Sequence, residues 1–250
     1  MNIISLQDVT VAFKKHVVLK NIDLDIRKGE TLVLMGPSGH GKTSLLKTLS
    51  GLISPENGKV FIEQSEWLTL SKKQRLAILK KMGILFQKNA LFDSFSCLEN
   101  IAFPLRETTM LSEQEIEEKA EYFLEQVGIP QARNLFPDEI SGGMQKRLGI
   151  ARALALEPEI IFYDDPTAGL DPVTSKRIVE LIMRLKKEKG STVVAVMNDM
   201  NRIYQMADTV AMVVDQEVLV LGSPDRLSQH QDLRVQQFIH GRAEGPLSTL

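Results

Sequence analysis

The chain has 250 residues, 43% hydrophobic and 25% charged, with a formal net charge of −2 and one cysteine, Cys97. This is an ordinary globular composition, enough for one large domain or one domain with an insert. The near-balanced charge argues against a nucleic-acid surface. A lone cysteine excludes an internal disulfide and suits a reducing compartment. The first ten residues lack the basic flank and apolar run of a signal peptide. No window approaches the ~18 apolar residues that a membrane helix needs. The expectation is a cytosolic protein, or one held at a membrane through a partner.

In chain order, residues 3–9 and 18–26 read as β-strands around turns such as Arg27-Lys28-Gly29-Glu30. Residues 30–35 read as a buried strand, and a helix is expected from Ser44. Between them lies Gly36-Pro37-Ser38-Gly39-His40-Gly41-Lys42-Thr43, a fit to the phosphate-loop pattern G-x-x-x-x-G-K-[ST]. Strand, glycine loop and helix are the context that confirms it. Glycines let the backbone wrap an anion with its N–H groups inward, and the helix N-terminus adds positive potential. Lys42 is expected to reach the β- and γ-phosphates, and the Thr43 hydroxyl to bind Mg2+. Residues 59–62 form a further strand after the turn Glu56-Asn57-Gly58.

The middle of the chain changes character. Cys97 reads as a small buried hydrophobe. Ser112-Glu113-Gln114-Glu115 is a capping box. Ile116, Ala120, Phe123, Leu124 and Val127 then recur at helical spacing, and Gly128-Ile129-Pro130 stops the helix. Ser141-Gly142-Gly143-Met144 precedes another helical run. It reads either as a second anion site or as a plain N-cap on Ser141. Residues 160–163 and 192–197 look like buried parallel strands, with a helix over 172–188 ended by Gly190. The first of these strands runs into Asp164-Asp165. A strand-end aspartate near a phosphate loop holds Mg2+, usually through water, which assigns Asp164. Asp165 would face the γ-phosphate and polarise an attacking water. The order implies a parallel α/β core interrupted by a helical insert near residues 90–154.

Together these residues resemble the ATP-binding cassette (ABC) ATPases over nearly the whole chain. Ser141-Gly142-Gly143-Met144 is similar to the family signature, with Ile140 and Met144 where Leu and Gln are usual. Asp164-Asp165-Pro166-Thr167 resembles the Walker B end, and Ala168-Gly169-Leu170-Asp171 the D-loop. Gln87 resembles the Q-loop glutamine that touches Mg2+, and Phe13 stands where an aromatic stacks on adenine. The resemblance implies a P-loop NTPase with a RecA-like parallel core, an N-terminal antiparallel β subdomain and an inserted α-helical subdomain. The 250 residues would be one domain: core 1–89 and 155–230, helical subdomain 90–154, tail 231–250. ATP and Mg2+ would lie between the phosphate loop of one cassette and the signature of a second copy. There Ser141 and the Gly143 N–H would contact the γ-phosphate.

Two positions depart from the family. Asp165 stands where the family carries a catalytic glutamate, and Asn198 where it carries a switch histidine. Both weaken hydrolysis more than binding, which leaves open a slow, nucleotide-gated clamp beside an ordinary motor.

Asn89-Ala90-Leu91-Phe92-Asp93-Ser94-Phe95, the stretch from Glu99 to Glu107, the signature methionine and the tail all resemble ATPases of Mla/Mce-type lipid transporters. In the tail, Leu233, Gln237, Val235, Phe238 and Ile239 also fit a partly buried end helix. The resemblance implies a homodimer on the cytoplasmic face of the inner membrane, with a permease contacted around Lys88, Asp93 and Ser94. An Mce-domain lipid-binding protein and a STAS-domain regulator complete the implied partners, and phospholipid is the implied cargo. A cassette for another cargo is the alternative.

Overall fold

The protein is described by a computed structural model that covers residues 1–87 and 89–247. Strands β1 (Asn2–Phe13), β2 (His16–Arg27) and β3 (Thr31–Met35) precede helix α1 (Lys42–Leu49). Strands β4 (Asn57–Ile62) and β5 (Ser65–Glu66), helix α2 (Lys72–Leu79) and strand β6 (Met82–Leu85) follow. Then come α3 (Cys97–Thr108), α4 (Glu113–Gln126) and α5 (Gly142–Leu154). Strand β7 (Ile160–Asp164), helix α6 (Pro172–Lys189), strand β8 (Thr192–Val196) and helix α7 (Met200–Met206) return to α/β alternation. Strands β9 (Thr209–Val214) and β10 (Glu217–Gly222) and helix α8 (Leu233–His240) end the described chain. Among the described residues no helix is long and apolar enough to cross a membrane.

The chain divides into two compact units, residues 1–78 with the chain from 192 onward, and residues 79–191. The first unit holds an antiparallel sheet in the order β2-β1-β4-β5. It also holds β3, parallel to β8 on one side and β9 on the other, with β10 antiparallel to β9. Every residue of β3 and β8 is buried, so both read as unbroken apolar runs rather than alternating ones. In β2 the alternation is clear, with Ile22, Leu24 and Ile26 inward and Asp23, Asp25 and Arg27 outward.

The second unit pairs β6 with β7 in parallel, from Met82 opposite Ile160 to Leu85 opposite Tyr163. Its helices carry strong start signals. Ser96 with Glu99 and Ser112 with Glu115 form reciprocal capping boxes on α3 and α4. Ile116, Ala120, Phe123, Leu124 and Val127 are all buried, as their spacing requires. Asp171 caps α6, Pro172 occupies its first turn, and Gly190 closes it at φ 67°.

Three expectations shift. Helix α1 begins at Lys42, two residues before Ser44, because Gly41 in the left-handed region is its cap. Strand β3 begins at Thr31, since Glu30 turns its carboxylate onto the Arg27 N–H at 2.8 Å. In α8, Val235 and Gln237 are buried but Leu233 is 69% exposed. Helix α8 packs through its later turn, where the Gln237 amide joins the Arg242 carbonyl and the Leu247 N–H. Lys88 lies outside the described residues, as do 248–250 of the tail.

Candidate functional site

In the first unit, β3 delivers the chain into the loop Gly36-Pro37-Ser38-Gly39-His40-Gly41, and α1 receives it. Gly36 has φ 135°, and a Cβ there would stand 2.3 Å from the Val213 carbonyl oxygen of β9. Gly41 has φ 99°, and its Cβ would meet Val18 at 2.7 Å. Only glycine fits either position. Ser38 and Gly39 are exposed, while Pro37 and His40 are half-buried. The buried Lys42 side chain folds across the loop, its Nζ donating to the carbonyls of Gly36 at 2.6 Å and Pro37 at 2.7 Å. The ammonium, the N–H groups that open α1 and the helix dipole suit this loop to a phosphate. Thr43 and Ser44 sit half-buried in that turn.

Three more expected residues belong to this unit. Phe13 ends β1 opposite His16 in the hairpin, 46% exposed, so its ring face is available for stacking. Asn198 follows β8, and with its amide turned so that nitrogen, not oxygen, faces the carbonyls of Gly36 and Met197 it donates to both, each at 3.1 Å. In that orientation the amide is engaged by main chain, in part at the head of the loop. His40 accepts the Asp215 N–H on Nδ1 at 3.2 Å, which anchors the loop to the β9–β10 turn. Arg234 of α8 reaches the same turn, pairing with Asp215 at 3.2 Å and Asp232 at 2.8 Å.

In the second unit, β6 leads to an exposed Gln87, and β7 ends in Asp164, which is 4% exposed. Asp165 is half-buried and left-handed, at φ 52°, immediately before Pro166. Asp171, expected in the D-loop, spends its carboxylate on the N–H groups of Val173 and Thr174 and on the Thr174 hydroxyl. The Thr174 hydroxyl is the main reason its pKa falls below the ordinary carboxylate value.

The signature residues open α5. Ser141 is the N-cap, accepting the Met144 N–H at 3.3 Å, which leaves its hydroxyl proton to donate elsewhere. Gly142 and Gly143 fill the first two helical positions. A Cβ on Gly142 would meet nothing within 4 Å, and one on Gly143 only Thr174 at 3.6 Å and Leu170 at 3.9 Å. The fold of this chain therefore does not require either glycine, although glycine in a helix costs roughly 0.5–1 kcal/mol relative to alanine.

Sequence reasoning missed Lys146 and Arg152 on the same helix. Lys146 is 5% exposed, and its Nζ donates to the carbonyls of Gln87 at 2.8 Å and Asp165 at 3.3 Å. Burial lowers its pKa, while the carboxylates of Asp165 and Asp164 pull it back up. The one available signal was a lysine set among the buried Leu148, Gly149 and Ile150. A cleft of about 350 Å3 elsewhere in this unit is lined by Arg147, Arg177 and Arg184. Arg147 and Arg184 are clamps on the end of α4, donating to the carbonyls of Gly128 and Gln126.

A phosphate loop on a central parallel strand, an acidic strand end and a helix opened by Ser-Gly-Gly define an ATP-binding cassette. The description "ABC transporter" matches residues 19–168, and the chain belongs to the ABC transporter family, as an ATPase subunit. It is similar to the intermembrane phospholipid transport system ATP-binding protein MlaF of Haemophilus influenzae, 39% identical over 98% of this chain and 93% of that protein. It is also similar to the probable ribonucleotide transport ATP-binding protein mkl of Mycobacterium leprae, 38% identical over 98% of this chain and 70% of that one. Among solved structures, the dimeric post-hydrolysis state of the cassette MJ0796 bound to ADP and Pi superposes with a TM-score of 0.80. That cassette is 34% identical, with 86% of this chain and 96% of that one covered.

Proposed function

We propose that this chain binds and hydrolyses Mg-ATP as a homodimer and thereby drives phospholipid movement through a membrane permease of the Mla/Mce type. The observation that carries the cargo assignment is the alignment with the phospholipid transport protein MlaF along nearly the whole of both chains. The ATP assignment rests on the loop: glycines that admit no side chain at Gly36 and Gly41, and Lys42 laid across it.

In this reading the loop N–H groups and Lys42 hold the β- and γ-phosphates, and Phe13 stacks on the base. Thr43, Asp164 and Gln87 are the residues that would hold Mg2+, which would supply charge neutralisation at the phosphate oxygens. Asp165 orients water toward the γ-phosphorus and takes up its proton. Glycines 142 and 143, which cost the helix stability and fill no tight space, fit a surface that the nucleotide of a second copy approaches closely. In this reading ATP links two chains, and the assembly works with its permease on the cytoplasmic face of the inner membrane. Asp93 and Ser94 fit the permease contact, and an Mce-domain protein and a STAS-domain regulator fit as further partners.

One observation favours a second reading, a hydrolysis-poor clamp. In the orientation that satisfies its neighbours the Asn198 amide faces main-chain carbonyls, and Asp165 is one methylene shorter than the usual glutamate. ATP turnover by the full chain with its permease in lipid separates the two. Good turnover that Lys42→Ala abolishes identifies a motor. Near-silent turnover with intact ATP binding, restored by Asp165→Glu with Asn198→His, identifies a clamp. Accumulation of labelled phospholipid on the far side of the bilayer tests the cargo, and ATP-driven movement of a ribonucleotide but not of lipid would reassign it.

A further inference from the structure

The residues around the acidic strand end share an unusual backbone. Asn89, Ala90 and Asp165 are all left-handed, at φ 58°, 52° and 52°. None is glycine, and Asp165 also precedes a proline. Such conformations persist only where surrounding groups fix them. Here the fixing groups come from one helix face. Arg152 donates from Nη1 to the Ala90 carbonyl at 2.8 Å and from Nη2 to the Asn89 carbonyl at 2.7 Å, its guanidinium 5.6 Å from the centre of the Phe92 ring. Lys146 donates to the carbonyls of Gln87 and Asp165. Between them Gly149 lets the helix lie close, since a Cβ there would stand 2.6 Å from Leu85 Cδ1 and 3.4 Å from Asn89 Cβ. Every left-handed residue of these two turns thus hands its carbonyl to a cation of α5.

We propose that Lys146 is a positioning residue for ATP hydrolysis: its buried ammonium fixes the main chain of Asp165 and Gln87 together and so sets where their side chains point. The proposal rests on the roles given above to Asp165 and Gln87. Chemistry favours a lysine here. An ammonium is a point donor with three protons, able to serve two carbonyls in different directions. The carbonyl it holds at Asp165, which also accepts the Ala168 N–H at 3.3 Å, belongs to the residue whose carboxylate would face the water, so removing the ammonium loosens this turn and lets the carboxylate shift. A displacement of about 1 Å at such a group is enough to cost ~10²-fold in rate. Lys146 also sits about one turn into the helix that Ser141 caps and Gly142 and Gly143 open. The helix that would meet the nucleotide of a second copy therefore holds this chain's own water-orienting turn.

The test is ATP turnover and ATP affinity of the full chain with its permease in lipid, for Lys146→Met, Lys146→Gln, Asp165→Asn and the Lys146→Met/Asp165→Asn pair. Methionine keeps the length and apolar stem without the donors. The expected result is kcat lowered by at least about tenfold in Lys146→Met with ATP affinity within about twofold. Lys146→Gln, shorter but with two amide N–H donors, should fall between it and wild type. In the Asp165→Asn background Lys146→Met should lower kcat no further, because both act through one group. Unchanged kcat in Lys146→Met overturns the proposal. So does an effect that multiplies fully with Asp165→Asn, or failure of both Lys146 variants to fold, since either makes Lys146 structural alone. If Asp165→Asn itself leaves turnover intact, the assignment of Asp165 fails and the role of Lys146 falls with it. If Asp165→Asn abolishes turnover while Lys146→Met does not, only the role of Lys146 is lost.

Discussion

In the proposed mechanism Asp165 and Asn198 are the two departures expected to set the rate of ATP hydrolysis. The left-handed conformation of Asp165 gives a reason for the shorter side chain, since aspartate tolerates that region better than glutamate does. Restoring glutamate therefore trades reach against backbone comfort. If the carboxylate is short of the water, Asp165→Glu raises kcat by ~10–10²-fold at unchanged ATP affinity. A lowered kcat would show that the loop is already matched to aspartate. At Cys97 the environment sets the chemistry. Burial, reinforced by Glu139, raises the thiol from its ordinary 9.0 to about 11. The neutral thiol is the form the fold favours, so its contribution to stability is whole below pH 9 and is lost as pH rises toward 11. At pH 7.5 the native chain should leave Cys97 unlabelled by iodoacetamide over hours, while the urea-unfolded chain is labelled quickly.

At the level of elements, the helix starts carry measurable stability. Ser112 accepts the Glu115 N–H and Glu115 answers on the Ser112 N–H, far from the nucleotide motifs in sequence. Ser112→Ala should cost about 1 kcal/mol and lower the melting temperature while leaving kcat unchanged. The start of α5 should behave in the opposite sense. An alanine at Gly142 meets no atom within 4 Å, and the position is the first of the helix, so Gly142→Ala should hold or slightly raise the melting temperature, by less than the ~0.5–1 kcal/mol of a helix interior. The same variant should impair ATP-driven dimerisation, read by light scattering with and without Mg-ATP. A variant that gains stability and keeps dimerisation would remove the close approach of a second chain from the argument.

For the whole molecule, ATP is expected to act as glue between two copies. Blocking hydrolysis with Asp165→Asn should trap an ATP-dependent dimer that wild type shows only transiently, and Lys42→Ala should abolish it. A monomer in both backgrounds at saturating ATP would mean that the permease, not the nucleotide, brings the cassettes together.

Much of this was legible in the chain because it is written locally. The phosphate loop is eight consecutive residues between a strand and a helix, and its glycines Gly36, Gly39 and Gly41 all take the positive φ that such a loop demands. The capping boxes at Ser112 and the helix stop at Gly190 are likewise short-range, fixed by hydrogen bonds within one or two turns. The α/β order followed from hydrophobic periodicity, and the Asp164-Asp165 pair from its place at a strand end. Tertiary structure decided the rest. Leu233 faces water although its spacing matches Gln237, because the packing of α8 is set by neighbours far along the chain. Gly36 is required by the Val213 carbonyl, 177 residues away in sequence. Lys146 and Arg152 look like ordinary surface cations in a helix until β6 and β7 bring the carbonyls of Gln87, Asn89, Ala90 and Asp165 to them. Local patterns carry caps and turns because one or two turns of chain contain every atom involved. A buried cation finds its partners only when separate elements pack, and no short stretch of sequence records that meeting.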